Sequence, residues 1–376
     1  MGRPLTGPEV FEVRVTRYLE DFFQKLGVPY QRQTMAERRD NIFAWVERPD
    51  SRRTVMLEAH QDTVPTDGMK IDPFRPLVKD GRIYGRGACD IKGGMTAMLG
   101  AFARIAKERP KDAPTVVMAC SVDEEFTFRG VLELATLWTE GRADPGTPLV
   151  APPDMAVVAE PTSLDIVVAH KGAVRWKICT RGRACHSSKP QEGINAIYRM
   201  ARVLGALERY AAKVGTIVPP HPLCGPATLS VGRIEGGIST NTVPDECLIE
   251  IDRRILPGED SMQARSAIEN FLRAQPDVDF DFDMLEPWMR GHALSDEHNS
   301  EVASLLGAAV DEVRGTHRKI GVPFGTDAAK LAAAGVPSVV FGPGSISQAH
   351  TNDEWLPLEE LEQASEVLYR FLRRAG

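Results

Sequence analysis

Apolar residues recur at two different periods in this sequence, and the change of period divides the chain. In PEVFEVRVTRYLEDFFQKLG, Phe11, Val15, Tyr18, Phe22 and Leu26 repeat at helical spacing, with Pro8 to open the helix and Gly27 to close it. From there short apolar runs alternate with helical patterns. TVMLEA (54–59), TVVMACSV (115–122) and DMAVVAE (154–160) predict buried strands, while GGMTAMLGAFARIAKER (93–109) and VLELATLW predict helices. Such alternation implies an α/β domain whose mostly parallel sheet is flanked by helices.

Around residue 172 the grammar changes. VRWKICT, NAIYRMARVLGALERYAAKV, ATLSVGRIEG, CLIEIDRRIL, SMQARSAIENFLRAQ and VDFDFDML follow as strand, helix, strand, strand, helix, strand. That is the order of a split, ferredoxin-like α+β unit. After about residue 288 the first style returns, with a helix near 298–313, the strand PSVVFG and an amphipathic final helix in LEELEQASEVLYRFL. The expectation is a discontinuous domain, 1–171 with 288–376, interrupted by an inserted domain over 172–287.

Composition agrees with two domains and narrows the function. A chain of 376 residues exceeds the size at which one core keeps growing. Its 43% hydrophobic and 26% charged residues are those of a globular protein. A net charge of -7 without a basic stripe argues against a nucleic-acid partner. The cysteines at 89, 120, 179, 185, 224 and 247 form no CxxC pair, which suits a reduced, cytoplasmic chain. No apolar run is long enough for a signal peptide or a membrane span. MGRPLT fits the loose myristoylation pattern, here taken as coincidence because nothing else points to a membrane.

The candidate chemistry sits where strands end. In an open parallel sheet, ligands collect beyond the carboxyl ends of the strands. TVMLEA runs into His60 and Asp62, TVVMACSV into Glu124 and Glu125, and DMAVVA into Glu160. Asp90, in GRGACDIKGG, precedes a Gly-rich helix start, and His350, in AHTNDEW, follows the strand PSVVFG. Each has a plainer reading: a surface His–Asp pair, a helix cap at Asp90, a strand-exit turn before Pro161, an ordinary loop histidine. Together they need a compensating charge, because so many carboxylates cannot stay ionised side by side. A metal supplies it. Nitrogen and oxygen donors without a thiolate suit zinc, cobalt or manganese. Two histidines and three carboxylates exceed what one open zinc site needs and suffice for two ions bridged by a carboxylate, about 3.5–4 Å apart.

The ordered set HxD, GRGACDIKGG, DEE, AEPT and a distal histidine in GPGSISQAHTNDE, with an inserted domain, resembles a family of zinc-dependent deacylases and exopeptidases. That family includes acetylornithine deacetylase, succinyl-diaminopimelate desuccinylase, aminoacylase and glutamate carboxypeptidase. The resemblance covers nearly the whole chain. It implies two divalent ions, zinc before cobalt or manganese, with His60 and Glu160 on one, Glu125 and His350 on the other, and Asp90 bridging. It also implies that Asp62 holds the His60 ring, that Glu124 is the general base, and that the peptide from Asp90 to Ile91 is cis. Asp123 is left with solvation or capping alone.

The resemblance reaches the inserted domain as well. His186, in RGRACHSSKPQEGINA, matches a histidine that stabilises the oxyanion in the partner subunit's site; its plainer reading is a loop residue before a helix. His170 is assigned to packing or hydrogen bonding. In NTVPDECLIEIDRRIL, strand alternation puts Leu248, Glu250, Asp252 and Arg254 on one face and Ile249, Ile251 and Arg253 on the other. Asn241 and Arg254 fall where the family binds a substrate carboxylate and carbonyl, against the alternative of a solvated edge arginine. Gly325 and Thr326, in GTDAAKL, and the loop GPGS resemble pocket-lining segments. The implied activity is hydrolysis of the amide of an N-acyl amino acid by a homodimer paired through the inserted domain. GPGSISQAHTNDEW is closer to acetylornithine deacetylase; a succinyl-diaminopimelate desuccinylase, a general aminoacylase and a metallocarboxypeptidase are the alternatives. A non-enzymatic metal-binding homologue is disfavoured, because every catalytic position is filled.

Overall fold

A computed structural model describes residues 11–376. Pro8 and the MGRPLT pattern lie outside the described residues. The first helix spans Val13–Leu26 and closes at Gly27, whose left-handed φ of 71° lets its N–H reach the Gln24 and Phe23 carbonyls. Its buried stripe differs from the expected one. Thr16, Leu19 and Phe23 are buried, and Tyr18 is 66% exposed. The stripe is set by its partner: Phe23 meets Phe102 edge-on, with centroids 6.0 Å apart, so the helix rolls to bring Leu19 and Phe23 inward.

Two compact units emerge. One runs to Val168 and resumes as Ser295–Ile320 and Thr326–Gly376; the other holds Ala169–Leu294 with Gly321–Gly325. An eight-stranded sheet, most of it within the first unit, runs in the order Tyr30–Ala36, Arg39–Val46, Thr115–Cys120, Thr54–Glu58, Met155–Val158, Ser338–Val340, Ile166–His170, Lys319–Val322. The four strands from Thr115–Cys120 to Ser338–Val340 are mutually parallel. The hairpin Tyr30–Val46 adds an antiparallel edge. Val55, Leu57, Val116 and Met118 join one core with helices Val13–Leu26, Gly93–Glu108, Ser300–Arg314 and Leu358–Arg374. Met56 and Val117, alternate to these, are equally buried, as in a sheet covered on both faces. A small sheet of Trp355–Pro357, Arg82–Tyr84 and Leu77–Lys79 completes this unit.

The second unit is antiparallel. Its strands lie in the order Thr228–Gly236, Glu246–Ile255, Gly172–Arg181, Phe282–Met284, with helices Ala196–Ile217 and Ser261–Arg273 between them in sequence. The strand Glu246–Ile255 alternates as its sequence dictates, burying Ile249, Ile251 and Arg253. VDFDFDML forms a shorter strand than its eight residues suggest, pairing only over Phe282–Met284. Trp176, Met200, Leu207, Ile251 and Ile268 share its core. Among the described residues no helix is long and apolar enough to cross a membrane.

Candidate metal centre

Five segments of the first unit deliver the candidate donors, and each has a local reason for its path. Beyond Glu58 the pairing continues for a few residues, with Ala59 N–H donating to the Ala119 carbonyl and Gln61 N–H to that of Ser121. Alternation then leaves His60 on the same face as Glu58. After Thr115–Cys120 the chain turns at Asp123, whose φ is 66°. Its carbonyl accepts the N–H groups of Thr127 and Phe128, closing the turn that carries Glu124 and Glu125. Asp90 lies in the turn Ala88–Lys92, and the peptide from Asp90 to Ile91 is cis. Glu160 follows Met155–Val158 beneath Gly342, where any Cβ would lie 2.5 Å from the Glu160 carbonyl oxygen. His350 comes from the loop before Trp355–Pro357 and is also left-handed, at φ 61°.

These paths bring all five expected donors together as two clusters that share Asp90. His60, Asp90 and Glu160 offer ligand atoms within 4.8 Å of one another, and so do Asp90, Glu125 and His350. His60 Nε2 stands 3.2 Å from Asp90 Oδ1, and His350 Nε2 stands 3.2 Å from Asp90 Oδ2. His350 Nε2 is also 3.1 Å from Glu125 Oε2. Asp62 does more than face His60, from whose Nδ1 its Oδ1 is 3.5 Å away. Its two carboxylate oxygens accept the N–H groups of Glu124 at 3.2 Å and Glu125 at 3.0 Å, fixing the acidic pair.

The charge balance of the site favours cations. Burial pushes the Glu124 and Glu160 carboxyls well above the usual range, and their acidic neighbours add to it. Burial also pulls the His60 imidazole down, but hydrogen bonds to Asp62 and Asp90 outweigh this and raise it. Beside Asp90 and Glu125 the His350 imidazole rises to about 10. Asp90 moves the opposite way, held low by the two histidines despite its burial. Lys92 is half-buried, donates to the Gln61 and Asp62 carbonyls, and is lowered by desolvation. The donor set is two imidazoles and three carboxylates, one carboxylate shared, with no thiolate among the donors, and it fits a pair of divalent ions.

The other expected residues fall as follows. Thr326 is fully buried, its hydroxyl accepts the Ala328 N–H and its carbonyl accepts Lys330 Nζ, so the side chain serves the start of the next helix. Gly325, His186, Asn241 and Arg254 belong to the other unit. There His186 pairs with Thr242 across a short antiparallel ribbon, Ser187 N–H donates to the Asn241 carbonyl, and the exposed His186 ring contacts Ser188 Oγ at 2.8 Å. Arg254 is half-buried and bound to Asp252 through Nε at 2.7 Å. His170 is fully buried, and its Nδ1 lies 3.0 Å from the Lys171 carbonyl oxygen.

Several buried acids escaped the sequence reading. Asp123 is not a solvated or capping acid: it is 5% exposed and paired at 2.9 Å with Arg39, which also grips Glu12. Glu58 and Asp327 share the hydroxyl of Ser121, at 2.7 and 3.1 Å. Burial, reinforced by Asp327, lifts Glu58 to about 8. The only hint was an acid inside an otherwise apolar strand, TVMLE.

Residues 56–374 match the model of peptidase family M20/M25/M40. Over 329 residues the chain is 32% identical to an acetylornithine deacetylase of Myxococcus xanthus, covering 85% of this chain and 79% of that protein. Its fold is shared with the aminopeptidase PepT of Bacillus cereus, at TM-score 0.74 and 24% identity over 97% of this chain and 93% of that one. It is likewise shared with an M20 metallo-carboxypeptidase of Sulfolobus solfataricus, at TM-score 0.77 and 18% identity over 97% and 94%. A dinuclear metal-binding M20 peptidase of Bacillus subtilis superposes at TM-score 0.67 and 17% identity over 96% and 92%.

Proposed function

From a chain that belongs to peptidase family M20/M25/M40, whose members are metal-dependent hydrolases of amide bonds, we propose a deacylase that removes the acyl group from an N-acyl amino acid, as an acetylornithine deacetylase does. The observation that carries this reading is the sharing of Asp90 between two nitrogen–oxygen clusters, with Glu124 buried alongside. His60 and Glu160 would hold one ion and Glu125 and His350 the other, with Asp90 shared between them; zinc is the first candidate, before cobalt or manganese. Divalent ions bound there would supply a Lewis acid for the scissile carbonyl and could bring the pKa of a water to about 7.

The chain's own groups do the rest. Asp62 fixes the His60 ring and, through the Glu124 and Glu125 amides, the acidic turn. Glu124, whose carboxyl burial has raised, takes the proton of the attacking water and returns it to the leaving amine. His186 of a second copy donates to the developing oxyanion, and Asn241 and Arg254 bind the carboxylate of the amino acid. Pairing through the second unit is supported by its exposed apolar residues Tyr198, Ile234 and Ile238. The leaving amine would be a small amino acid in the cytoplasm.

The test is a panel of zinc- and cobalt-loaded protein against N-acetylornithine, N-succinyl-diaminopimelate and di- and tripeptides, with and without a chelator. The expected result is chelator-sensitive release of amine, fastest from the acetyl substrate. Faster cleavage of the succinyl amide or of peptides would move the assignment to a desuccinylase or a peptidase. Turnover unaffected by complete metal removal would overturn the reading altogether.

A further inference from the structure

The strongest unassigned feature of the first unit is a fully buried carboxylate, Glu354, four residues after His350. It does not face either cluster. Its Oε1 accepts the backbone N–H groups of Cys89 at 2.8 Å and Asp90 at 2.9 Å. Its Oε2 accepts the N–H of Gly87 at 3.0 Å and Arg86 Nη1 at 2.7 Å. Arg86 then spends its other terminal nitrogen on the carbonyls of Pro65 and Thr351, both at 3.3 Å. One buried ion pair thus touches three donor-bearing segments: the loop after His60, the turn of Asp90 and the loop of His350.

The packing around this pair leaves it little freedom. A Cβ on Gly344 would lie 2.5 Å from Cys89 Sγ and 2.7 Å from Leu356 Cδ1, and one on Gly93 would lie 2.3 Å from Leu356 Cδ2. The segment that carries His350 is therefore pressed directly onto the turn that carries Asp90. Trp355 and Leu356 also pair with Tyr84 and Ile83 in the small sheet, anchoring both sides of the contact. A carboxylate accepting three backbone amides in such a place sets the orientation of the peptide units it holds, because none of those donors has room to turn elsewhere.

We propose that Glu354, held by Arg86, is a positioning residue that sets the Asp90 carboxylate and couples the two metal clusters. This rests on the dinuclear reading above. The Asp90 oxygens face opposite clusters, Oδ1 toward His60 and Oδ2 toward His350, so the angle of one side chain decides whether both can be completed. Glu354 fixes that angle from the backbone side. In Glu354→Gln one oxygen becomes an NH2 that faces N–H donors, so one half of the clamp turns repulsive while size is kept.

The experiment is calorimetric titration of cobalt(II) into metal-free protein, with visible absorption of the bound ion, for the parent chain, Glu354→Gln and Arg86→Met. The parent should bind two ions. In Glu354→Gln the second should bind about 10–100-fold more weakly, the loss usual for a group that supports a ligand. Its cobalt spectrum should shift, and Arg86→Met, which leaves the three amide contacts, should lose less. Two ions bound by Glu354→Gln with parental affinities and spectrum would overturn the proposal while leaving the dinuclear reading standing; a parent that binds no ions removes that reading itself. Hydrogen exchange of the unmodified, metal-free protein provides an arm that needs no variant. The Gly87, Cys89 and Asp90 amides should be strongly protected, and their rapid exchange would equally sink the clamp.

Discussion

The two clusters that meet at Asp90 are not equivalent. The side chains of His60 and Asp90 are 2% and 8% exposed and Glu160 is 5% exposed; in the other cluster Glu125 is as well covered, its side chain 8% exposed, and it is His350 that stands open, its side chain 48% exposed. In the inner cluster His60 and Glu160 follow strand ends, which cannot move without disturbing the sheet. The outer one depends on a loop histidine in a left-handed conformation. Burial makes uncompensated charge costly, so the inner cluster has the greater need of a permanent cation, and the outer one has the easier path for exchange.

Three substitutions sharpen that contrast or break it. The largest effect belongs to Asp90→Ala, which removes the one carboxylate common to both clusters. Metal content measured by elemental analysis should fall from two ions toward none, with hydrolysis at background. Two retained ions would show that the clusters are independent. Next comes Glu124→Gln, which probes how adjacent acids divide their work. Both ions should stay, and turnover should drop by about 10²–10⁴-fold, the range for losing a general base. A variant within tenfold of its parent would remove Glu124 from that role. The smallest effect is expected for His350→Ala, in which only the outer ion should weaken, by at least the roughly 10–100-fold that follows loss of a supporting group. Equal loss of both ions in graded chelation would erase the distinction between inner and outer.

How far the sequence spoke depended on what kind of contact a residue makes. His60, Glu124, Glu125 and Glu160 were readable because each leaves an apolar strand abruptly, and a parallel sheet gathers such exits on one rim. Asp90 and His350 needed the motif order to stand out, since one sits in a Gly-rich turn and the other in a loop. The edge strand Tyr30–Ala36, YQRQTMA, was missed because it has neither an apolar run nor an alternation, only the pairing of its neighbour Arg39–Val46. Glu354 and Asp123 were passed over for another reason. Their work is to hold backbone amides and a distant guanidinium, and such partners leave no periodic trace. Tyr18 shows the reverse failure: helical spacing names a stripe, but the ring of Phe102 decides which stripe turns inward.

The opening helix contributes no donor, yet it is wired to two of the loops that do. Thr16 Oγ1 donates at 2.7 Å to Gln61, the residue beside His60, and Glu12 grips Arg39, which holds Asp123 ahead of the acidic pair. For anyone shortening this protein from its front, a cut that removes Glu12 therefore severs one of these ties, and one that removes Thr16 severs both. Such trimming would look harmless on a map of functional residues, and would slacken the struts on which two of them stand.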